Sequence, residues 1–398
     1  MHQNLCKEEI SSLVKAYYPK IINGLGTDTS LIDGTAGNFL FFYQSYTFFK
    51  DEESLLALKK VLSSLLKNLN ENKSGLFSDG LVGIGVVFHL CDEIPFDLNL
   101  TSFYSSLDEI IENEIANQAE MVNMDFLHGM IGSGIYALCR KRTDLLELII
   151  NNLNEFAYKD EFGYRWHSKY EIRDKEIDVI QLSLSHGISS VINFLSQCVK
   201  LEIKNKELAM KILYEAIKYL RHSTLMSCLS IFPEVIPVER IELKIRESRL
   251  AWCNGDLGVG ISLLIVGINI KDQKLIQEAE LILLETTRRR SKKQTGVIDD
   301  GLCHGSAGIA LMYKLAHQLT GKKEFLEAFS FWMCRLMIEA RRSALSDEGY
   351  RSFLGEDKGW GIDQGFLNGL SGIGLTLIDF ISEKESNWKS ILLLSNVK

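Results

Sequence analysis

The stretch 301–308 reads Gly301-Leu302-Cys303-His304-Gly305-Ser306-Ala307-Gly308, and an apolar run begins directly after it. A thiol and an imidazole therefore stand next to each other on a glycine-rich turn. Glycine permits backbone angles that other residues resist, so neighbouring side chains on such a turn can converge. Thiolate and imidazole are ligands that a zinc ion takes readily. Because one adjacent pair cannot hold zinc alone, further ligands must come from another part of the chain.

A second cysteine on a glycine-rich turn lies fifty residues upstream, in the stretch 252–258, which reads Trp-Cys-Asn-Gly-Asp-Leu-Gly. Both turns have the form Cys-x-Gly-x-x-Gly. The Gly-x-x-Gly part recurs through the chain, and an apolar stretch follows each copy, as in residues 84–90 and 261–270. The seven copies begin at Gly34, Gly80, Gly129, Gly187, Gly255, Gly305 and Gly369, and the fourth has Ser190 in place of its second glycine.

Between the glycine turns lie segments in which apolar residues recur at steps of three and four, the period of an amphipathic helix. These segments span residues 53–69, 207–220, 272–287 and 324–340. Each repeat thus predicts a glycine turn, an apolar inner helix, a linker and an amphipathic outer helix. Seven such pairs cannot bury their inner faces singly, but they can when stacked in a closed ring. The predicted fold is all-α: an α/α toroid, a double-layered barrel of seven helix pairs.

We predict a single α/α-toroid domain over residues 1–398, with small β-containing insertions around residues 158–180 and 222–248. The two spacings between glycine turns that contain these insertions are longer than the others. The first holds the aromatic, strand-like sequence Phe-Gly-Tyr-Arg-Trp at residues 162–166. In the second, two prolines precede residues 238–245, where apolar and charged residues alternate. Alternation of this kind is typical of strands.

Composition excludes several classes of protein. With 46% hydrophobic and 24% charged residues the chain has ample material for a core. A formal net charge of −8 argues against nucleic acid as a general partner. The basic run at residues 288–293 is local, and we interpret it as a solvated loop. Each apolar stretch is far shorter than the roughly twenty residues that cross a bilayer, which favours buried core helices.

The N-terminal sequence and the spacing of the cysteines bear on the cellular compartment of the protein. The first twenty residues mix charged and apolar side chains and have no secretory signal pattern. The eight cysteines show no clustered disulfide spacing, which favours reduced thiols or metal ligands. We therefore expect a cytoplasmic protein.

Three features together resemble the lanthionine synthetase C-like family, the lantibiotic cyclases. They are the sequence Ser-Arg-Leu-Ala-Trp-Cys-Asn-Gly at residues 248–255, the Cys-His-Gly triplet at 303–305, and the seven glycine turns. The resemblance covers roughly residues 32–378. It implies an α/α toroid with one zinc ion at its mouth, held by Cys253, Cys303 and His304. It also implies an enzyme that joins cysteine thiols to dehydroalanine or dehydrobutyrine in a precursor peptide, forming lanthionine and methyllanthionine rings.

The residue types fit that chemistry. Three protein ligands leave the fourth zinc position open, as in catalytic rather than structural sites. A free cysteine thiol has a pKa near 8.5, whereas a thiol that coordinates zinc is deprotonated and becomes the nucleophile. The attack creates an enolate, which needs charge stabilisation and then a proton. The alternative for each cysteine is that a small buried thiol packs well beside a glycine turn.

Candidate acids and bases lie on other turns. His186 precedes Gly187 as His304 precedes Gly305, Asp125 stands four residues before Gly129, and Arg249 stands four residues before Cys253. By resemblance, His186 protonates the enolate or accepts the thiol proton, and Asp125 orients it. Arg249 then pairs with Asp125 or stabilises the enolate oxygen.

Each of these side chains also has a structural interpretation. Asp125 can cap a helix start, Arg249 can be an ion-pair partner, and His186 can be a packed histidine. His128 also precedes a turn glycine, and we interpret it as part of a pocket wall. Asp256 is interpreted as a helix cap that lies near enough to orient a ligand.

The sequence departs from the family pattern directly after the first zinc cysteine. The family commonly has tyrosine or histidine there, and this chain has Asn254. An amide can form hydrogen bonds but cannot transfer a proton at neutral pH, so we expect no acid role for this position.

The resemblance also implies partners: a dehydrated precursor peptide with its leader, a separate dehydratase and an export transporter. Through these partners the protein would associate with the inner face of the membrane. The chain begins directly at the toroid, which is why the dehydratase is expected to be separate. Three alternatives remain open: addition of a small thiol such as glutathione to dehydrated residues in proteins, a non-enzymatic zinc-bearing scaffold that binds peptides, and a glycosidase-like toroid with paired carboxylates.

Overall fold

In the computed structural model the described residues are 2–72, 74–91, 93–172, 175–226, 229–239, 247–347, 349–355 and 358–397, and the side chains of 2–6, 171, 172 and 175 are left aside. Within these ranges helices dominate, and each glycine turn is followed directly by a helix. The helices that follow the turns are α2 (Thr35–Phe49), α4 (Leu81–Leu90), α6 (Met130–Arg140), α8 (Ile188–Cys198), α10 (Asp256–Ile270), α13 (Ser306–Thr320) and α15 (Leu370–Ile381).

The helices that follow the turns have the buried character that the sequence predicts. Every residue of α8 is buried, and so are the first eleven residues of α2 and the first twelve of α10. A helix that is apolar on all faces has to be surrounded by protein. The prediction of an apolar inner helix after each glycine turn is therefore confirmed.

The remaining helices are mostly amphipathic and alternate with the inner ones along the chain. They are α1 (His2–Asn23), α3 (Glu52–Asn68), α5 (Leu100–Glu120), α7 (Thr143–Phe156), α9 (Lys206–His222), α11 (Gln273–Thr286), the short α12 (Lys292–Thr295) and α14 (Lys323–Leu345). Two 3₁₀ helices span Leu69–Glu71 and Asn387–Leu392. The four segments predicted from helical periodicity coincide with α3, α9, α11 and α14 to within a few residues.

Steric contacts explain the glycine turns. A β-carbon on Gly308 would lie 1.9 Å from the carbonyl oxygen of Leu302, and one on Gly372 would lie 2.0 Å from that of Phe366. The second glycine of the turn therefore rests against the backbone six residues earlier. In the fourth turn the equivalent residue is Ser190, whose hydroxyl donates to the carbonyl of Gly187 at 2.7 Å.

Small antiparallel sheets interrupt the helical pattern. Strands β1 (Tyr158–Asp160) and β2 (Gly163–Arg165) pair in one sheet, with Lys159 opposite Tyr164. Strands β3 (Ser168–Ile172), β4 (Lys175–Ile180) and β5 (Ile236–Pro237) form a second sheet in that order, and β6 (Arg351–Phe353) pairs with β7 (Trp360–Ile362) in a third. The first two sheets confirm the predicted β-containing insertions. The alternating stretch 238–245 lies largely outside the described residues, and the third sheet is not predicted from the sequence.

Two compact units make up the chain. The first comprises Met1–Leu107, Val297–Lys314 and Leu326–Trp388, and in it α15 packs against both α1 and α2. The second comprises Asp108–Gly296, Leu315–Phe325 and Lys389–Lys398, and in it α8 packs against α6, α9 and α10. In the second unit Gly163 of β2 lies against α9, where a β-carbon would be 2.3 Å from the carbonyl of Glu215. The single-domain interpretation stays a prediction.

The interpretation of residues 288–293 as a solvated loop is wrong for Arg289. Its side chain is 3% exposed, and it lies 3.1 Å from the carboxylate of Asp256. It also donates to the carbonyls of Ser248 and Gln294, at 2.6 and 2.9 Å. A buried guanidinium requires such partners, because its desolvation is otherwise costly. Arg288 is exposed, as predicted.

None of the helices in the described part of the chain combines the length and the apolar character that a bilayer crossing requires.

Candidate active site

The turn that carries Cys253 is fixed on both sides. The hydroxyl of Ser185 donates to the carbonyl of Cys253 at 2.8 Å, which ties this turn to the turn of His186. The indole of the buried Trp252 donates to the carbonyl of Leu392 at 2.8 Å. The side-chain amide of Asn254 donates to the carbonyl of Glu234 at 3.2 Å. Because Asn254 is engaged with the backbone, its contact supports a structural role for the position.

The turn that carries Cys303 and His304 is held by one carbonyl. The backbone N–H groups of Leu302 and Cys303 both donate to Leu367, at 2.8 and 3.0 Å. Cys303 is 9% exposed. The side chain of His304 is mostly buried, and its Nε2 lies 3.3 Å from Oδ2 of Asp299. The turn therefore presents both ligand groups with little freedom to move.

Asp299 is a functional candidate that the sequence does not single out. Its side chain is 1% exposed, and neither carboxylate oxygen accepts a hydrogen bond from any described residue. Asp299 and Asp300 are adjacent acids, and the sequence alone does not show which of them lies near His304. They differ in the structure, because Asp300 accepts a hydrogen bond from Ser306 and lies 3.8 Å from Arg335.

Of the three predicted zinc ligands, Cys303 and His304 lie side by side on one turn of the first unit, and Cys253 lies on a turn of the second. Two thiolates and one imidazole form a donor set that suits zinc, and three protein ligands leave one position open. Asp299 also fits a metal at this place. If His304 binds through Nδ1, its Nε2–H faces a carboxylate, the arrangement that commonly fixes the orientation of a metal-binding histidine.

Asp125 and His186 form a close pair. Oδ2 of Asp125 lies 2.7 Å from Nδ1 of His186, while Oδ1 accepts the backbone N–H of His128 at 2.8 Å. The backbone N–H of His186 donates to the hydroxyl of Ser183 at 3.1 Å. Asp125 thus has one oxygen engaged by its own turn and the other directed to the histidine. It does not occupy the helix N-cap, which is Gly129.

The protonation states of the pair follow from these contacts. Burial raises the pKa of Asp125, but the imidazoles of His128 and His186 and the backbone N–H outweigh it and hold that pKa well below its ordinary value. Burial lowers the pKa of His186, but the hydrogen bond and charge of Asp125, together with Cys253, leave it above its ordinary value. The pair therefore favours a carboxylate beside a protonated imidazole.

His128 belongs to the same cluster. Its ring is stacked on that of His186, with centroids 5.8 Å apart and an angle of 6° between the planes. Its Nδ1 lies 3.6 Å from Oδ1 of Asp125, and its side chain is 48% exposed. All three side chains line a cavity of about 640 Å³, which is also bordered by the stacked rings of Tyr158 and His167. His128 is thus part of the cavity wall, as predicted, and it also contacts Asp125.

Arg249 is not paired with Asp125. The side chain is exposed, and no ion pair joins the two residues within the part of the chain that the structure describes. Its role in the reaction stays a prediction.

The interpretation of Asp256 as a helix cap is wrong, because the N-cap of α10 is Gly255, at a φ of +107°. Asp256 instead accepts the backbone N–H groups of Ile231 and Phe232, at 3.0 and 2.8 Å, and pairs with Arg289. Its carboxylate thus holds a neighbouring loop.

Comparison with known proteins places the chain in a family. The model of the lanthionine synthetase C-like protein family matches residues 26–393, and the chain belongs to that family. It is 23% identical over 349 residues to the nisin biosynthesis protein NisC of Lactococcus lactis subsp. lactis, covering 81% of this chain and 78% of that protein. The solved structure of nisin cyclase superposes with a TM-score of 0.74 at 19% identity, covering 98% of this chain and 97% of that chain. This likeness shows the fold, the α/α toroid predicted from the glycine repeats.

Proposed function

We propose that the protein is a zinc-dependent peptide cyclase. It would add cysteine thiols to dehydroalanine and dehydrobutyrine in a precursor peptide and so form lanthionine and methyllanthionine rings. The observation that carries the proposal is the link between two kinds of chemistry: Ser185 joins the turn of the metal ligand Cys253 to the turn of His186, which Asp125 holds at 2.7 Å. Membership of the lanthionine synthetase C-like family supports the same reaction.

Cys253, Cys303 and His304 would hold one zinc ion per chain. When bound, zinc would keep the thiol of the substrate deprotonated at neutral pH and thereby nucleophilic. The two protein thiolates would donate electron density to the metal, and the buried carboxylate of Asp299, 3.3 Å from Nε2 of His304, would orient that ring. The ligands have little freedom to move, because the backbone of each turn that carries them is hydrogen-bonded to a neighbouring segment.

The reaction requires a proton to move from sulfur to carbon. The thiolate forms a bond to the β-carbon, the π bond breaks, and the α-carbon of the resulting enolate takes up a proton. We assign the delivery of that proton to His186. Its Nδ1 is engaged by Asp125, so Nε2 is the nitrogen that can exchange a proton with the substrate. The pKa of His186 lies above its ordinary value, which favours the protonated form that acts as the acid.

Arg249 is assigned a supporting role. A guanidinium remains charged at all relevant pH values, so an exposed arginine can stabilise the oxygen of the enolate without transferring a proton. Arg249 is exposed and is not used by Asp125, which supports this alternative over the ion pair. Asn254 is assigned no proton transfer, because its amide is engaged by Glu234.

The substrate would be a dehydrated precursor peptide that carries a leader. The cavity of about 640 Å³ beside His186 is large enough to take several side chains of such a peptide. Dehydroalanine and dehydrobutyrine arise by loss of water from serine and threonine, so a dehydratase must act first, and a transporter would export the product. The cyclase would act in the cytoplasm, at the inner face of the membrane where its partners assemble. The free thiols of Cys139, Cys198 and Cys334 support a reducing compartment.

Single-turnover cyclisation of a dehydrated peptide tests the proposal. Ring formation leaves the mass of the peptide unchanged but removes thiols, so alkylation followed by mass spectrometry counts the rings. His186→Asn should retain zinc and cyclise about 10²- to 10⁴-fold more slowly, the usual cost of removing a general acid. His222→Asn, an exposed histidine that does not line this cavity, is the matched control and should cyclise normally.

Three results would contradict this assignment. If His186→Asn loses zinc together with activity, His186 supports the metal rather than the proton transfer. If the unmodified protein joins glutathione to the dehydrated peptide and forms no rings, thiol addition to proteins is the activity. If it binds the peptide without changing it, the protein is a scaffold.

A further inference from the structure

We propose that Asp125, His128 and His186 form a second binding site for a divalent transition metal, separate from the cysteine site. One ligand atom from each of the three side chains lies within 4.8 Å of the other two. Oδ2 of Asp125 is 2.7 Å from Nδ1 of His186, and Oδ1 is 3.6 Å from Nδ1 of His128. A metal ion with bonds of about 2.1 Å to nitrogen and oxygen needs only small side-chain movements to bind all three.

The positions of the two imidazoles are set by the repeat. His128 and His186 both precede the first glycine of a turn, Gly129 and Gly187. In both turns the side chain four residues before that glycine accepts the backbone N–H of the histidine: Asp125 at 2.8 Å in one and Ser183 at 3.1 Å in the other. The two rings are nearly parallel, at 6°. The backbone that carries each histidine is therefore anchored in the same way, and only the side chains need to move for the metal to bind.

The ligand set determines the kind of metal. Two imidazoles and one carboxylate suit Zn²⁺, Co²⁺, Ni²⁺ or Fe²⁺, and they leave coordination positions open. This set differs from the two thiolates and one imidazole of the cysteine site, which favour zinc. His128 is 48% exposed on the wall of the cavity of about 640 Å³, so a hydrated ion can reach the site.

A metal at this second site would interfere with the reaction. Binding through Nδ1 of His186 would replace its contact with Asp125 and exclude the doubly protonated ring, so the remaining Nε2–H would be a much weaker acid. Excess metal should therefore inhibit cyclisation, in contrast to the single zinc ion that the reaction requires. This consequence rests on the proposed function, whereas metal binding by the three residues does not.

A titration of the zinc-loaded full chain with Co²⁺ tests the site. Zinc binds more tightly than cobalt to the same ligands and should remain at the cysteine site. We expect one further equivalent of Co²⁺ to bind without the thiolate-to-cobalt charge-transfer absorption that a cysteine site would give. His128→Phe keeps an aromatic ring at this position and removes both nitrogens. It should lower the affinity of the second site for Co²⁺ by more than the roughly 10- to 100-fold loss that removing an outer partner of a metal ligand causes. His167→Phe, on the same cavity wall, should bind Co²⁺ as the unmodified chain does.

The outcomes separate the two proposals. Absence of a second equivalent in the unmodified chain, or its persistence in His128→Phe, would overturn the site. If Co²⁺ binds as expected and slows cyclisation in the unmodified chain, its effect should be lost in His128→Phe. If Co²⁺ binds at the second site and cyclisation is unaffected, the inhibitory consequence is overturned. If the chain binds Co²⁺ there and cyclises no dehydrated peptide in the absence of Co²⁺, the site stands and the proposed function fails.

Discussion

Replacing Asp299 by asparagine should weaken zinc binding without disturbing the fold. The carboxylate lies 3.3 Å from Nε2 of His304, is 1% exposed, and accepts no hydrogen bond from any other described residue. Its contribution is therefore directed to the histidine. A carboxylate in this position fixes the tautomer and the orientation of the ring and increases the basicity of the nitrogen that binds the metal.

The size of the effect follows from that geometry. Loss of an outer partner of a metal-binding histidine lowers metal affinity by about 10- to 100-fold, which corresponds to about 1.4 to 2.8 kcal/mol. Competition with a chromogenic chelator measures the affinity directly. The stabilisation of the fold by a fixed excess of zinc should fall by the same amount, because it depends on the logarithm of the dissociation constant.

The matched control is the neighbouring acid. Asp300 is engaged by Ser306 and lies near Arg335, so Asp300→Asn should leave the affinity for zinc unchanged. Unchanged zinc affinity in Asp299→Asn, or an equal loss in both variants, would refute the inference that Asp299 orients His304.

Three further outcomes are expected. In Asp125→Asn the pKa of His186 should fall, because the charge that raises it is gone, and in a pH–rate profile the decline of cyclisation with rising pH should begin at a lower pH. Arg289→Met should lower the free energy of unfolding in urea by about 3–5 kcal/mol by leaving a buried carboxylate unpaired, whereas the exposed Arg288→Met should change it by less than about 0.5 kcal/mol. Asn254→Ala should keep the cyclisation rate within about tenfold; a loss near that of a removed acid, with zinc retained, would show that its amide positions the substrate.

Asp125 and His186 also make the free energy of unfolding depend on pH, and the direction follows from their pKa shifts. The pKa of His186 is raised, so its contribution to stability is fully present below the ordinary value of 6.5 and is lost as the pH rises through the folded-state pKa. The pKa of Asp125 is depressed, so its contribution is present above the ordinary value of 3.8 and is lost as the pH falls through the folded-state pKa. The stability that Asp125→Asn removes should therefore be greatest between about 3.8 and 6.5, and urea unfolding across this range measures it.

The helices and glycine turns could be predicted because each depends on local signals. An apolar run after Gly-x-x-Gly indicates a buried element, and the close contact of Gly308 with Leu302 shows why a side chain is disfavoured at that position of this turn. The matching turns singled out Cys253 and Cys303, whereas the full set of zinc ligands with His304 came from the resemblance to the family. Strands β6 and β7 could not be predicted, because three residues on each side carry too little alternation to be recognised.

Contacts between distant segments account for what the sequence does not show. Arg289 lies in a basic run, and only the structure reveals that Asp256 and two carbonyls surround it. Asp299 and Asp300 are the same residue type, and only their contacts in the structure distinguish them. The pairing of Arg249 with Asp125 was one of two roles that the resemblance implied, whereas in the structure that carboxylate contacts His186.

The glycine turns have a consequence for how such a protein can change over evolutionary time. The residue directly before the first glycine of the seven turns is, in chain order, Asp33, Asp79, His128, His186, Asn254, His304 and Asn368. All seven are polar, and all occupy the same place in their repeat. The glycines form the turn, and the residue before them is a carboxylate, an amide or an imidazole in different repeats of this one chain. The same turn is therefore compatible with different reactive groups at one position, and an exchange of that group leaves the glycines in place.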